Sequence, residues 1–379
     1  VSAGPLAGLK VVELTSLAPA PFACMVLADL GAEVIRVDRA GGGDALAVPS
    51  GYFDRGQKSI AVDLKDPRGV DIVRDLIADA DVLVEGFRPG VAERLGVGPE
   101  DCRAWNPGLV YGRLTGYGQH GPMAQAAGHD INYIALAGAL EPIGRVGERP
   151  LPSLNLVADF AGGGFLLVIG VLAALREREF SGKGQVVDAS MVEGAALLTT
   201  FVHAMASTGL WMPERGTNFL DSGAAFYDTY VCSDGKYVAV GALEPQFYAE
   251  LLAGLGLSDE DLPSPFDLDQ AGKLRAVFQG VFLTKARDEW TEVFDGVDAC
   301  VTPVLSPSEA PDHPHNRARQ SFVEVGGRLQ PAPAPRFSRS APPTPSAAPR
   351  MGAHTDDLLA ELGLSAEAIA ELRSAGVVG

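Results

Sequence analysis

Short apolar runs alternate with stretches of helical spacing along the first part of the chain. Residues 9–14 read as a mostly buried strand, 33–38 as a second, and 59–63, which alternate apolar and polar positions, as a third. Residues 81–85 and 109–114 repeat the strand pattern. Between them, residues 20–30 carry apolar positions at helical spacing and stop at Gly31, a natural C-cap. Pro67 suits the first turn of a helix running to 78. Strand–helix alternation of this kind predicts an α/β fold with a doubly wound, Rossmann-like sheet. The first strand–helix turn, Thr15-Ser16-Leu17-Ala18-Pro19, lacks Gly-x-Gly-x-x-Gly and gives no support to a nicotinamide or flavin cofactor.

From 159 to 206 the pattern is mainly helical, broken by Ser181-Gly182-Lys183-Gly184 and a short strand at 185–188. A new unit begins near Phe226. Residues 226–232 and 236–241 are strand-like and joined through Ser233-Asp234-Gly235, whose Asp-Gly pair signals a hairpin. Helical patterns follow at 245–252, 273–282 and 287–294. Prolines crowd 303–349, which reads as an extended connector, and Ser365 is an N-cap candidate for a helix at 366–373. The expected division is a large α/β domain at 1–206, a linker at 207–225 and a smaller α+β domain at 226–310. A return connector and C-terminal helices at 311–379 complete the large domain.

A length of 379 residues, 47% of them hydrophobic, suits two domains. The formal net charge of −18 argues against nucleic acid or an anionic membrane as partner, so any anionic ligand needs a local basic patch. Cys24, Cys102, Cys232 and Cys300 are too scattered for a disulfide framework or a zinc site. The apolar run at 165–175 falls short of the roughly 20 residues of a membrane span and reads as a buried helix. The scattered cysteines fit a reducing cytoplasm, no leader pattern is read at the N-terminus, and Gly376-Val377-Val378-Gly379 carries no peroxisomal or prenylation signal.

Candidate chemistry centres on Gly128-His129-Asp130-Ile131-Asn132-Tyr133, which follows the glycine-rich run 112–122. A histidine, with an unperturbed pKa of roughly 6.5, both takes and gives a proton near neutrality. A lone histidine is more often an ordinary loop residue. This one lies beyond a predicted strand end, where α/β folds bind ligands. Asp159 opens the stretch Asp159-Phe160-Ala161-Gly162-Gly163-Gly164. It reads either as a helix N-cap or as an acid/base, with glycines that let a ligand approach the backbone. Glu244, before Pro245, is an ordinary acidic residue at a helix start unless it meets His129 and supports its cationic form. Arg36, Arg39, Arg55, Lys58, Lys65, Arg88 and Arg94 concentrate cations in the first part of an acidic chain. Several follow strands, where phosphates bind. His313 and His315 lack a third metal ligand and read as a surface turn, so no metal site is expected.

Five segments together resemble the family III CoA-transferase superfamily, and within it the α-methylacyl-CoA racemase branch. They are 6–14, 31–39 (Gly-Ala-Glu-Val-Ile-Arg-Val-Asp-Arg), 87–96 (Phe-Arg-Pro-Gly-Val-Ala-Glu-Arg-Leu-Gly), 182–188 and 352–356. The chain departs from the family at Asp54-Arg55, where an Asn-Arg pair is common. The resemblance implies His129 as a mark of the racemase branch, Asp159 as an acid/base or, in transferases, the nucleophile, and Glu244 as the partner of the histidine. It implies CoA contacts at Arg39, Val62, Asp63, Leu64, Lys65, Gly86, Phe87, Arg88, Arg94, Gly128, Asp130, Ile131, Asn132 and Tyr133. It further implies an interlocked homodimer with Glu244 supplied by the second chain, an acyl-CoA substrate, and no cofactor beyond the CoA that the substrate carries.

The activity expected is interconversion of (R)- and (S)-2-methylacyl-CoA by 1,1-proton transfer. A CoA transferase using Asp159 as nucleophile is the alternative. A CoA-binding protein without catalysis is the third reading.

Overall fold

The computed structural model describes residues 4–17, 19–42 and 51–379. They form two compact units: Val1–Ala137, Leu154–Leu198 and Ala318–Gly379 in the first, Gly138–Ser153 and Thr199–Arg317 in the second. The sequence pattern instead assigns 138–153 and 199–206 to the large domain and begins the small one at 226. The difference lies in polar ties between residues distant in sequence. Arg145 donates twice to Asp228, at 2.7 Å each, and Arg215 donates to the carbonyls of Glu141 and Glu148. Hydrophobic periodicity carries no trace of such ties.

The first unit runs β1 (Lys10–Leu14), α1 (Pro19–Asp29), β2 (Glu33–Arg39), β3 (Lys58–Val62), α2 (Pro67–Ala78), β4 (Val82–Glu85), α3 (Val91–Arg94), α4 (Pro99–Trp105), β5 (Val110–Thr115) and α5 (Asp130–Leu136). A π-helical stretch, Leu156–Phe165, then leads directly into α6 (Leu166–Ser181), followed by β6 (Val186–Ser190) and α7 (Met191–Leu198). The six strands form one sheet in the order β3-β2-β1-β4-β5-β6, and every neighbouring pair is parallel. Parallel sheets are covered on both faces, which is why β4 and β5 are buried at every position. The order reverses between β1 and β4, and in open α/β sheets ligands bind outside the carboxyl ends of the strands at such a point.

Helix runs without a break from Leu156 to Ser181, so the apolar stretch exceeds the one read from sequence. By length and composition it could cross a membrane. Leu167, Val168, Val171 and Ala174 are nonetheless buried within the unit.

In the second unit α8 (Thr200–Ser207) precedes an antiparallel sheet of β7 (Tyr227–Val231), β8 (Tyr237–Gly241) and β9 (Val301–Pro303). With α9 (Pro245–Leu255), α10 (Ala271–Phe282) and α11 (Arg287–Val293) it encloses a core built on Phe226, Tyr230, Phe278, Phe282 and Trp290. The proline-dense region is not wholly extended. It holds α12 (Pro314–Ala318) and the hairpin β10 (Phe322–Val325) and β11 (Arg328–Pro331). Buried Arg55 pins that hairpin, donating to Gln330, to the Pro331 carbonyl and to Asp29. Finally α13 (Thr355–Glu361) and α14 (Ala366–Ser374) bring Leu358, Leu359 and Ile369 into the core beside Ile60 and Val62. Ser365 caps α14, its hydroxyl accepting from the Ala368 N–H.

Glu13 sits fully buried in β1, near the Cys24 thiol. Burial pushes its pKa up to about 8 from 4.5, against the opposing pull of Arg36. Between those values the folded chain holds a proton that the unfolded chain has lost, so stability falls as pH rises through this window. Glu13→Gln removes this dependence. Chemical unfolding at pH 5 and pH 8 should show the variant gaining on the parent by about 1 kcal/mol or more at the higher pH. An equal difference at both values contradicts a protonated Glu13.

Candidate active site

Two cavities open at the carboxyl ends of the strands in the first unit. One, of 420 Å³, lies over the ends of β1, β2 and β3 and is lined by Arg39, Val62, Asp63, Leu64, Lys65 and Phe87, with Thr15, Asp38 and Met351 beside them. The other, of 580 Å³, lies where β1, β4 and β5 end, and is lined by Gly86, Phe87, Arg88, Gly128, His129, Asn132, Tyr133 and Asp159. Phe87 forms part of both walls. His129 and Asp159, 30 residues apart in sequence (159 − 129), therefore face one space.

Three of the expected contact residues line neither cavity. Arg94 is exposed on α3, Ile131 is exposed on α5, and Asp130 is buried. Glu244 is exposed at the N-cap of α9 in the second unit. Tyr117 and Met191 also line the larger cavity, and Tyr117 was not singled out from sequence. Tyr117 stood in plain view inside the glycine-rich run, whereas nothing around Met191 sets it apart from core residues. Among the described residues no cluster of three or more His, Cys, Asp or Glu could hold a metal ion.

The cations sort into two groups. Arg36 pairs with Asp38 and Asp54, Arg55 with Asp29, and Lys58 with Glu33. Asp54, the departure from the family pattern, is thus held by Arg36 at 2.7 Å. Arg39, Lys65, Arg88 and Arg94 make no ion pair among the described residues, and all four are exposed. Three of these free cations line the cavities, which suits an anionic ligand on an acidic protein.

His129 is the N-cap of α5. Its N–H donates to Asn132 Oδ1 at 3.1 Å, and its carbonyl accepts from the N–H groups of Asn132 and Tyr133. Tyr133 donates its hydroxyl to the Gly128 carbonyl at 2.5 Å, so the backbone is held on both sides of the imidazole. The rings of Tyr117 and Tyr133 meet edge to face at 5.1 Å. Glycine is required around them: a Cβ on Gly116 would lie 2.3 Å from the Tyr133 ring, and one on Gly128 would lie 2.7 Å from the Tyr117 hydroxyl.

Asp159 is not an N-cap. It lies inside the π-helical stretch, which begins after Asn155. Its own N–H and that of Ala158 both donate to Asp130 Oδ2, at 2.8 and 2.7 Å. The glycines after it serve packing rather than ligand approach. A Cβ on Gly162 would lie 2.7 Å from the Ala195 backbone in α7, and one on Gly164 would lie 2.6 Å from the Phe22 ring in α1. Burial, then the neighbouring charge of Asp130, pushes the Asp159 pKa up to about 6, with Asn155 and His129 acting in the opposite sense. A carboxyl tuned in this way can hold or release a proton near neutral pH. Carbon-13 NMR of labelled aspartate carboxyls, with the signal assigned by its loss in Asp159→Asn, should give a midpoint near 6. A midpoint in the usual carboxylate range contradicts this setting.

Residues 6–355 match CoA-transferase family III. The chain is 51% identical to alpha-methylacyl-CoA racemase of Mus musculus over 98% of its own length and 97% of that protein. It is 47% identical to alpha-methylacyl-CoA racemase of Homo sapiens, again over 98% of its length and 97% of that protein. Among solved structures, a CAIB/BAIF family protein from Brucella suis superimposes with a TM-score of 0.84 at 27% identity, covering 95% of this chain and 99% of that one.

Proposed function

This chain belongs to CoA-transferase family III, and from that membership we propose that it is an α-methylacyl-CoA racemase, an isomerase that interconverts (R)- and (S)-2-methylacyl-CoA thioesters. The observation that carries the mechanism is the placement of His129 and Asp159 on the wall of one cavity. The thioester carbonyl acidifies the C2 proton. One of the two groups removes it, the other returns a proton to the opposite face, and the roles exchange for the other enantiomer. Positioned acid–base groups contribute roughly 10²–10⁴-fold. The intermediate is an enolate, whose oxygen needs hydrogen-bond donors. The Asp130 N–H, which follows His129 in the chain and makes no hydrogen bond among the described residues, suits that task. Arg39, Lys65 and Arg88 supply the positive charge that the phosphates of CoA require. Because the thioester itself provides the acidity, the reaction needs no cofactor beyond the CoA already in the substrate.

The active form in this proposal is a homodimer in which Glu244 of a second copy supports the His129 imidazolium. Large apolar side chains left exposed in the first unit, among them Leu154, Leu156, Phe165, Ile169 and Phe180, give such a copy a surface to cover. Sedimentation should give about twice the 39.5 kDa chain mass. A monomer at assay concentration would contradict the dimer.

The test of the activity is incubation with one enantiomer of a 2-methylacyl-CoA in D₂O without an acceptor acid. Deuterium should enter C2 as the other enantiomer appears, and His129→Ala should lose about 10²-fold or more. Absence of exchange, with CoA passing to an added carboxylate, would make Asp159 a transferase nucleophile and overturn the racemase reading.

A further inference from the structure

Asp130 lies between the two proposed bases and lines neither cavity. It is the first residue of α5, joined by a peptide bond to His129, and only 3% exposed. One of its oxygens, Oδ2, accepts the N–H groups of both Ala158 and Asp159. A single buried atom thus ties the backbone of one base to the residue beside the other. No other side-chain hydrogen bond joins the described residues of the His129 loop to the backbone at Asp159.

We propose that Asp130 is the positioning residue that couples the two bases: it locks the backbone of Asp159 to the start of α5 and sets its own carboxyl group behind that backbone. This rests on the two-base reading above. A proton can be passed across C2 only if both groups keep their places on opposite faces, and a shift of about 1 Å at a reacting centre can cost about 10²-fold. The charge acts in a second way. Burial contributes most to holding a proton on Asp159, and Asp130 comes next. The elements packed against this stretch carry other charged or titratable groups, among them Tyr111 on β5 and Arg176, Glu177, Arg178 and Glu179 on α6. His129 opposes the effect, while Tyr133 and Arg88 stand on the cavity wall. Cys24 and Asp29 lie on α1, Glu193 on α7, Arg113 on β5 and Asp188 on β6.

Two substitutions separate the lock from the charge. Asp130→Asn keeps an oxygen that can accept both N–H groups but removes the charge. Asp130→Ala removes both. In Asp130→Asn the Asp159 carboxyl midpoint, read by carbon-13 NMR, should fall below that of the parent. The acid limb of kcat/KM, in the direction where Asp159 removes the proton, should move to lower pH with it, while plateau kcat falls less than about tenfold. In Asp130→Ala, kcat should fall about 10²-fold with KM nearly unchanged and circular dichroism like that of the parent. If Asp130→Ala does not fold, the asparagine variant carries the test alone. An unmoved midpoint and limb in Asp130→Asn overturns the proposal, as does a folded Asp130→Ala with parental kcat. A parent without C2 exchange sinks the racemase reading instead, and the carboxyl titration, which needs no substrate, still decides the role of Asp130.

Discussion

The reversal of strand order between β1 and β4 is the constraint on which the site depends. A parallel sheet buries its strands on both faces and sends its connections outward from their carboxyl ends. Where the order reverses, the connections part and leave a crevice. The turn after β4 runs along that crevice and places Phe87 in both cavity walls. Glu85, fully buried at the end of β4, holds this turn by accepting from the Phe87 N–H at 2.6 Å and from Arg113 at 2.7 Å. Arg113 in turn reaches Glu93 in α3. The position of the site therefore follows from strand order, and its shape from a few buried charges that tie the strand ends together.

The same economy governs the cations. A chain with a net charge of −18 attracts an anion only where positive charge is left unspent. Arg36 and Arg113 sit under the site and are consumed by carboxylates, so they serve the scaffold. Arg39, Lys65 and Arg88 line the two cavities and make no ion pair among the described residues, which suits an anionic ligand. Asp38 shows the contrast from the acidic side. Although it lines the smaller cavity, its oxygens are already taken by Arg36, Thr15 and Ser59.

Much of this architecture was legible before any coordinates. The strands of the sheet announce themselves because buried parallel strands are short continuous apolar runs, and Pro67, Gly31 and Ser365 punctuate helices as their chemistry demands. The pairing of His129 with Asp159 was readable as a hypothesis from their glycine-rich settings, and the cavity brings them together. Other features were not readable. The π-helical stretch looks like any apolar helix in sequence, where Asp159 reads equally well as a cap. Gly162 and Gly164 looked like ligand-facing residues, because only the fold reveals that α7 and α1 press against them. Segment 138–153 joins the second unit through ion pairs, and the hairpin at 322–331 hides among prolines because its pinning residue, Arg55, lies far back in the chain. Asp130 was read only as part of a ligand-contacting segment, whereas its carboxylate is turned to the backbone of Asp159.

The most direct test of the central claim, that two different groups serve the two faces of C2, is the distribution of deuterium in the first turnovers. A single enantiomer is supplied in D₂O and the reaction is stopped within a few per cent of conversion. With two bases, the enantiomer formed carries solvent deuterium at C2 while the unreacted substrate remains largely unlabelled, and the same holds when the other enantiomer is the starting material. Equal labelling of substrate and product from the outset would mean that one group works both faces, and would contradict the division of labour between His129 and Asp159.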